Sequence, residues 1–518
     1  MPSTSTGGDT APAFRTYVEE NLDALGSDPG REALIHGDRR VTAGEIRDLV
    51  YRMTRALVAQ GLRRGHTVTL LSGNLPEIIA ARYAANLLGC KVNHLYNKLS
   101  ADVQATIVRD VETHTLIVDP RLAARAAEVT ALAPVKSVLV LGPSDAGTDL
   151  LELAARESAE PFPNQAHPGD VCTIRHTGGT TGHPKGICST FGQNPFRAME
   201  HNADVRLLVC TTLAHAAGHM ADATLREGGV VVLLEDFDPA AVLAAIERER
   251  ITDLFLLPPL LYQLMDHPDA DRTDTSSLRC IAYGGCQSSP ARIADAVRRF
   301  GPVLLQFYGQ NEAGGISILT AEDHDLDHPR HLQRLRSAGK PLEGVEVAIR
   351  DEDGRDLPAG EHGEICIRSE RLMQGYWKQP ELTAEVLRDG WLHTGDIGFV
   401  DEEGYITVVD RLKDMIVVVG GHVYTSELED VLNSHPEVLQ SAVFGVRDAD
   451  RMEQVHAVVV PVPGSGVDAE QLRALVQEER GAMYVPASIV FTEALPLTDA
   501  GKPDKKRLRQ EAEAAASA

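Results

Sequence analysis

The sequence predicts an α/β fold: a large N-terminal domain of layered α/β subdomains with a small β-barrel-like subdomain, followed by a small mobile α+β C-terminal domain. Three observations carry this prediction. Strand-length apolar runs alternate with helical periodicity through the first 300 or so residues, as in parallel sheets covered by helices. From 345 to 409 that rhythm gives way to short strands separated by Gly and Asp turns. After Arg411 a mixed strand and helix pattern fills a segment of about a hundred residues, the size of a separate module. A chain of 518 residues also exceeds what one core ordinarily organises.

In chain order, MPSTSTGGDTAPAF reads as a short disordered arm, lacking the basic-then-apolar order of a signal peptide. From 41 to 62, Ile46, Leu49, Val50, Met53 and Leu57 recur at helical spacing, and HTVTLLS at 66–72 reads as a buried strand. A helix at about 75–88 precedes KVNHLY, and further strands fall at 138–141, 171–174, 230–234, 253–257 and 303–306. The β-rich subdomain, about 340–410, holds VEVAIRD, GEICIRS and YITVVD. With a boundary at 410–414, the domains are 1–411 and 412–518. The second has a strand at 415–419, a helix at 425–432, strands at 441–446 and 456–460, and a helix from Asp468. The tail QEAEAAASA is expected to fray.

Composition narrows the function. Hydrophobic residues make up 43% and charged residues 24%, with no apolar run near the roughly 18 residues of a membrane helix. Seven cysteines, odd in number and without CxxC spacing, argue against zinc and disulfide frameworks and for a reducing cytoplasm. A net charge of -25 argues against nucleic acid, whose backbone is bound through clustered Lys and Arg. Anionic small ligands then need local basic islands, which salt isolates beyond roughly 8 Å. Oligomeric state is not legible, and a homodimer stays open beside a monomer.

The most informative segment is Thr177, Gly178, Gly179, Thr180, Thr181, Gly182, His183, Pro184 and Lys185, following the β-branched run at 171–174. Glycines let backbone N–H groups converge, threonines add hydroxyl donors, and the lysine adds charge, a set suited to the polyphosphate of ATP. It departs from the GxxxxGK-Ser/Thr phosphate loop, because Pro184 precedes Lys185 and Gly186 follows it. Alone, such a segment is equally a tight turn.

Four more strings follow: YGQNEAG from Tyr308, WLHTGDIG from Trp391, DRLKDMI from Asp410 and LPLTDAGKPDKKRLR from Leu495. In this order and at these separations the five strings resemble the adenylate-forming enzymes, a superfamily of acyl-CoA synthetases, aryl-CoA ligases, luciferases and peptide-synthetase adenylation domains. The resemblance runs from about residue 30 to about 508. It implies an active site between the two domains, with ATP, CoA and Mg2+ as cofactors and a small carboxylic acid or its adenylate as partner.

By that resemblance the loop closes over the β- and γ-phosphates and Glu312 helps hold magnesium. Tyr308, with Gly309 and Asn311 in its string, stacks on adenine against a wall formed by Gly285 and Cys286. Asp396 and Arg411 hold the ribose hydroxyls, roles suited to an acceptor-only carboxylate and a multi-donor guanidinium. Lys502 bridges the substrate carboxylate and the α-phosphate, where two anions 4 Å apart repel by roughly 4 kcal/mol at an effective dielectric of 20. His215 borders the carboxylate pocket, although a buried, satisfied histidine would look the same. His219, four residues on, lacks an intervening Glu or a third ligand and is not read as part of a metal pair. Lys413 falls at the hinge, where rotation would withdraw Lys502 and bring in a CoA path around Val419, Gly420 and Gly421.

Three positions depart from the pattern: Gly178 replaces a Ser or Thr, Asn311 a Thr, and Val419, Gly420, Gly421 a Gly-Glu or Gly-Gly-Glu. The expected activity is an AMP-forming acyl-CoA ligase working by domain alternation. A ligase biased towards thioesterifying a supplied acyl-adenylate and a non-catalytic acid- or nucleotide-binding homologue are the alternatives. A peptide-synthetase domain fits less well, since no carrier domain follows. Ala214 and the small residues of HAAGHMADA leave room for a bulky or alicyclic acyl group, and also simply pack well between helices.

Overall fold

The computed structural model describes residues 14–177, 185–193, 202–412, 414–418, 421–447, 453–498 and 502–516. Early helices start where the sequence supplies caps. Thr42 accepts from the Glu45 backbone N–H while the Glu45 carboxylate accepts from Thr42, which fixes the start of helix Ala43–Ala59. Helix Pro76–Leu87 opens on proline, whose missing N–H costs nothing at that position.

Two largely parallel sheets form the body. The first runs Lys340–Pro341, Gly314–Leu319, Leu304–Gln310, Cys280–Gly284, Asp253–Leu256, Arg206–Val209, Val230–Leu233, Glu32–His36 and Arg39–Thr42 in spatial order. The second runs Gly375–Tyr376, Lys185–Thr190, Val171–Thr177, Lys91–His94, Thr67–Leu71, Thr113–Val118, Ser137–Val140 and Thr148–Asp149. One core joins them. Ile46, Val50 and Met53, Ile78 and Tyr83, and Met220 and Leu225 come from three helices and meet Leu34, Leu207 and Val231 of the first sheet and Val68, Leu70 and Val92 of the second. These helices cover the inner face of each sheet, and helices Pro239–Glu249 and Pro290–Phe300 on the first sheet and Ala101–Asp110 and Ala123–Leu132 on the second cover the outer faces, which explains the near-continuous Val, Ile and Leu runs.

A third, antiparallel sheet contains Glu346–Arg350, Gly363–Arg368, Leu387–Arg388, Trp391–Val400 and Ile406–Arg411 around Ile349, Ile365, Ile367, Leu392 and Ile406. Beyond Arg411 come the hairpin Ile416–Val418/Gly421–Val423 and a sheet of Val438–Arg447, Glu453–Pro461 and Ser488–Phe491. Helices Thr425–Asn433 and Ala469–Arg480 contribute Leu428, Leu432, Leu472 and Val476 to the cluster on one side of that sheet.

The tail corrects the sequence expectation. Instead of fraying, Lys505–Ala516 is helical. Leu508, 5% exposed, buries against Ala442 and Phe444 on the sheet's other face, with Ala512 beside it. One apolar anchor and an alanine-rich run of high helix propensity are enough to order it. All seven cysteines are free thiols. Among the described residues, no helix is long and apolar enough to cross a membrane.

Candidate active site

Strands Val171–Thr177 and Lys185–Thr190 are antiparallel neighbours, and their last register pair is Thr177 with Lys185. The glycine-threonine segment therefore joins, in sequence, two antiparallel neighbours. Gly178, Gly179, Thr180, Thr181 and Gly182 themselves lie outside the described residues, as do Lys413, Val419 and Gly420. The Lys185 ammonium lies 5.4 Å from the centre of the Tyr376 ring, and the Tyr376 hydroxyl donates to Glu312 Oε1 at 3.0 Å. Lys185 and Glu312 thus meet across one tyrosine. The second carboxylate oxygen of Glu312 makes no hydrogen bond among the described residues, so a cation can take it.

Asp396 is the polar centre of the site. It is 3% exposed, and its Oδ2 accepts from the Tyr308 hydroxyl and from Gln310 Nε2, each at 2.6 Å. Arg411 Nε lies 3.3 Å from Oδ1, because Asp396 and Arg411 are direct cross-strand partners. Burial, then the Asp396 charge, hold the Tyr308 phenol well above its ordinary range, so it remains a donor. Gln310 also donates to the Thr394 carbonyl at 3.2 Å. Beside this strand Glu364 accepts from His393 Nδ1 at 2.7 Å and from the Gly395 N–H at 3.0 Å. Glu364, Cys366 and His393 are close enough to share a metal ion, but the Glu364 carboxylate is already hydrogen-bonded on both oxygens, and the trio buttresses the strand at Asp396.

Gly284 is the register partner of Phe307, beside Tyr308, and a side chain on Gly284 would meet the Phe307 carbonyl at 2.2 Å. The chain leaves that strand through Gly285, at φ +83°, to half-buried Cys286. This sets Gly285 and Cys286 next to the Tyr308 strand. Gly309 sits at a register shift in the pairing with Gly314–Leu319, and a Cβ there would strike the Gly314 carbonyl at 2.4 Å. Asn311 follows in the turn between those strands.

Lys502 reaches the same region from the C-terminal part. Burial pushes the Cys286 thiol up to about 11, with Lys502 pulling it down. Burial, then Arg175 and Lys502, push His215 down to about 4 and keep it neutral. Both residues therefore feel the Lys502 charge. Lys502 itself closes a turn in which its carbonyl accepts from the Thr498 N–H at 2.6 Å and Leu497 bridges Pro503. The C-terminal part is held by Ser426 on the Val409 carbonyl, by the Thr425 N–H on Asp410 Oδ2 at 2.5 Å, and by Arg336 Nε 3.4 Å from Asp430. Burial raises the carboxyls of Asp410 to about 6 and Asp430 to about 7. Gly421 pairs with Val418 in the hairpin expected to line a CoA path.

His215 precedes helix Ala216–Arg226 and lines a small cavity with His94, Tyr96, Arg175, His176 and Ala214. Sequence reasoning missed Arg175, Gln310, Glu364 and Tyr376. Gln310 and Glu364 stood inside those strings without a role, and Arg175 had a signal of its own, a charge within a mostly apolar or β-branched strand.

The AMP-binding enzyme family model matches residues 23–377, and the model of the AMP-binding enzyme C-terminal domain matches 427–502. A medium/long-chain-fatty-acid–CoA ligase, FadD8 of Mycobacterium tuberculosis, is 37% identical over 514 residues, covering 94% of this chain and 88% of that protein. A feruloyl-CoA synthase of Amycolatopsis is 36% identical over 492 residues, covering 93% and 96%. The structure of the amide bond synthetase McbA from Marinactinospora thermotolerans superposes with a TM-score of 0.88 at 39% identity, covering 96% of this chain and 99% of that one.

Proposed function

The chain belongs to the AMP-binding, adenylate-forming enzymes, and on that premise we propose that it is an AMP-forming acyl-CoA ligase. The observation that carries this reading is the buried Asp396 held by Tyr308, Gln310 and Arg411, with the charge of Lys502 from the C-terminal part acting on His215 and Cys286.

In the first step the substrate carboxylate attacks the α-phosphate of ATP and pyrophosphate leaves. Asp396 and Arg411 hold the ribose, Tyr308 and the Gly285–Cys286 turn enclose the adenine, and the 177–185 segment holds the outgoing phosphates. Lys502 offsets the repulsion between carboxylate and phosphate. Magnesium, where bound, supplies further positive charge on the phosphates, and Glu312 would hold it through its free oxygen. Neutral His215 lines the carboxylate pocket without adding charge. In the second step, rotation about Lys413 withdraws Lys502 and brings the hairpin with Val419, Gly420 and Gly421 to the site. The CoA thiolate then attacks the acyl carbonyl, and AMP leaves. Free thiols and the lack of a spanning helix among the described residues support a cytoplasmic setting.

A second reading rests on the likeness to an amide bond synthetase: an amine, in place of CoA, takes the acyl group from the adenylate. The relatives give no support to a binder without catalysis or to an enzyme restricted to supplied adenylates. Incubation with a panel of acids, ATP and either CoA or a primary amine, followed by assay of AMP, pyrophosphate and acyl product, separates the two. The ligase reading expects AMP and acyl-CoA in equal amounts with CoA. AMP release that needs the amine and ignores CoA would replace it with the second.

A further inference from the structure

The buried network behind His215 contains one more cation than anion. Arg82 is fully matched: Nη1 and Nη2 donate to the two oxygens of Asp222 at 2.8 and 2.5 Å, and Tyr83 adds a hydrogen bond to the same carboxylate at 2.6 Å. Arg175 is not matched. It makes no ion pair among the described residues, and its hydrogen bond goes to His219 Nε2. Asp222 acts on Arg175 only at longer range, already occupied by Arg82.

Among the described residues no carboxylate pairs with Arg175, and Asp110, close to the cavity lining, stands behind His176 at 3.7 Å. His94, His215 and His219 all have depressed pKa values, first through burial and then through the nearby arginines, so each is neutral. Arg175 is part-buried, and it lines the cavity shared with His94, Tyr96, His176, Ala214 and His215. A guanidinium withdrawn from water without a counter-charge is costly unless something pairs it. Leu99 and Ile107 complete the lining, so the guanidinium stands among neutral and apolar groups. Arg175 lies two residues back from Thr177 on its strand, roughly 6.6 Å further from the phosphate segment.

We propose that the acid this protein activates carries a second acceptor oxygen, a carboxylate or a ketone remote from the reacting carboxylate, and that Arg175 pairs with it inside this cavity. The inference rests on the ligase reading for the identity of the site. A planar, multi-donor guanidinium discriminates by pairing: a carboxylate satisfies it fully, a ketone partly, a hydrocarbon not at all.

The test uses phenylalkanoic acids of two to four acyl carbons, each with a para ethyl, acetyl or carboxylate group. Binding is measured by calorimetry in the presence of a non-hydrolysable ATP analogue, and adenylation by acid-dependent pyrophosphate exchange. At the best chain length the carboxylate or acetyl acid should exceed its ethyl counterpart at least tenfold in affinity and in kcat/KM. Arg175→Met should collapse that ratio towards one and Arg175→Lys should restore part of it, with AMP affinity and melting temperature reporting on the fold. Equal binding of all three substituents, or preference for ethyl, overturns the proposal. So does an Arg175→Met loss that is the same for every acid, since the arginine would then serve the reacting carboxylate. Selective binding without exchange would leave the proposal standing and refute the ligase reading.

Discussion

Replacing Gln310 by methionine removes two hydrogen bonds of known geometry while keeping the side chain's length. Nε2 donates to Asp396 Oδ2 at 2.6 Å and to the Thr394 carbonyl at 3.2 Å. A bond to an ionised acceptor contributes about 1.5–3 kcal/mol and a neutral one about 1 kcal/mol. Water can replace the neutral bond, because Gln310 is part-exposed. The loss tied to Asp396 is therefore about 1.5–3 kcal/mol, or roughly 10- to 150-fold in affinity if Asp396 anchors the ribose. Calorimetric titration with AMP should show Kd rising at least tenfold in Gln310→Met. The double variant Gln310→Met/Asp396→Asn should be no worse than Asp396→Asn alone, because both changes remove one interaction. Gln310→Glu sets two carboxylates at that separation, roughly 6 kcal/mol of repulsion at an effective dielectric of 20, so its AMP affinity should improve as pH falls. A Gln310→Met Kd within twofold of wild type, or fully additive losses in the double variant, would refute the assignment of Gln310 and Asp396 to one ribose-holding unit.

Lys502→Ala should lower acid-dependent pyrophosphate exchange on the order of 100-fold, the usual cost of losing one transition-state donor. Acyl-CoA formation from a supplied acyl-adenylate should change only a few-fold. The Asp430 carboxyl, raised to about 7, favours its neutral form while buried near Arg336. That contribution is complete below pH 4 and is lost as pH rises through 7, up to roughly 4 kcal/mol. Limited proteolysis of the C-terminal part should therefore accelerate across that window in wild type and stay flat in Asp430→Asn. His215, depressed to about 4, acts in the opposite direction: folding free energy should fall as pH drops from 6.5 towards 4, and His215→Gln should shallow that slope in denaturant titrations. Leu508→Ala should cost about 2–4 kcal/mol, seen as a lower denaturation midpoint, if the tail helix is an anchored part of the C-terminal sheet.

The fold was readable because its strongest signals are periodic. Val230–Leu233 is apolar throughout, and Thr67–Leu71 and Asp253–Leu256 are apolar apart from Thr67, Thr69 and Asp253, as strands covered on both faces tend to be. The tail was misread because composition weighed more than one leucine: QEAEAAASA looks like an end, and only packing reveals what Leu508 holds. In the candidate site, residues with a chemical signature of their own, such as Asp396 beside Gly395, can be singled out in the sequence. Gln310 and Glu364 cannot, because an amide or a carboxylate acquires its role from the partner it faces across a sheet. The three-dimensional pairing of Asp222 with Arg82, which leaves Arg175 unmatched, lies 47 residues along the chain from Arg175. No local pattern can express such a balance.

The cross-strand pairing of Asp396 with Arg411 puts the two residues proposed to hold the sugar at the last rung before the chain passes into the C-terminal part. The pivot proposed at Lys413 would behave like a door hinge set beside its lock: large arcs at the rim would need hardly any travel at the bound ligand. Exchange of C-terminal parts between relatives is then best made just after Arg411, where a splice leaves the sugar's grip whole and transfers only what swings.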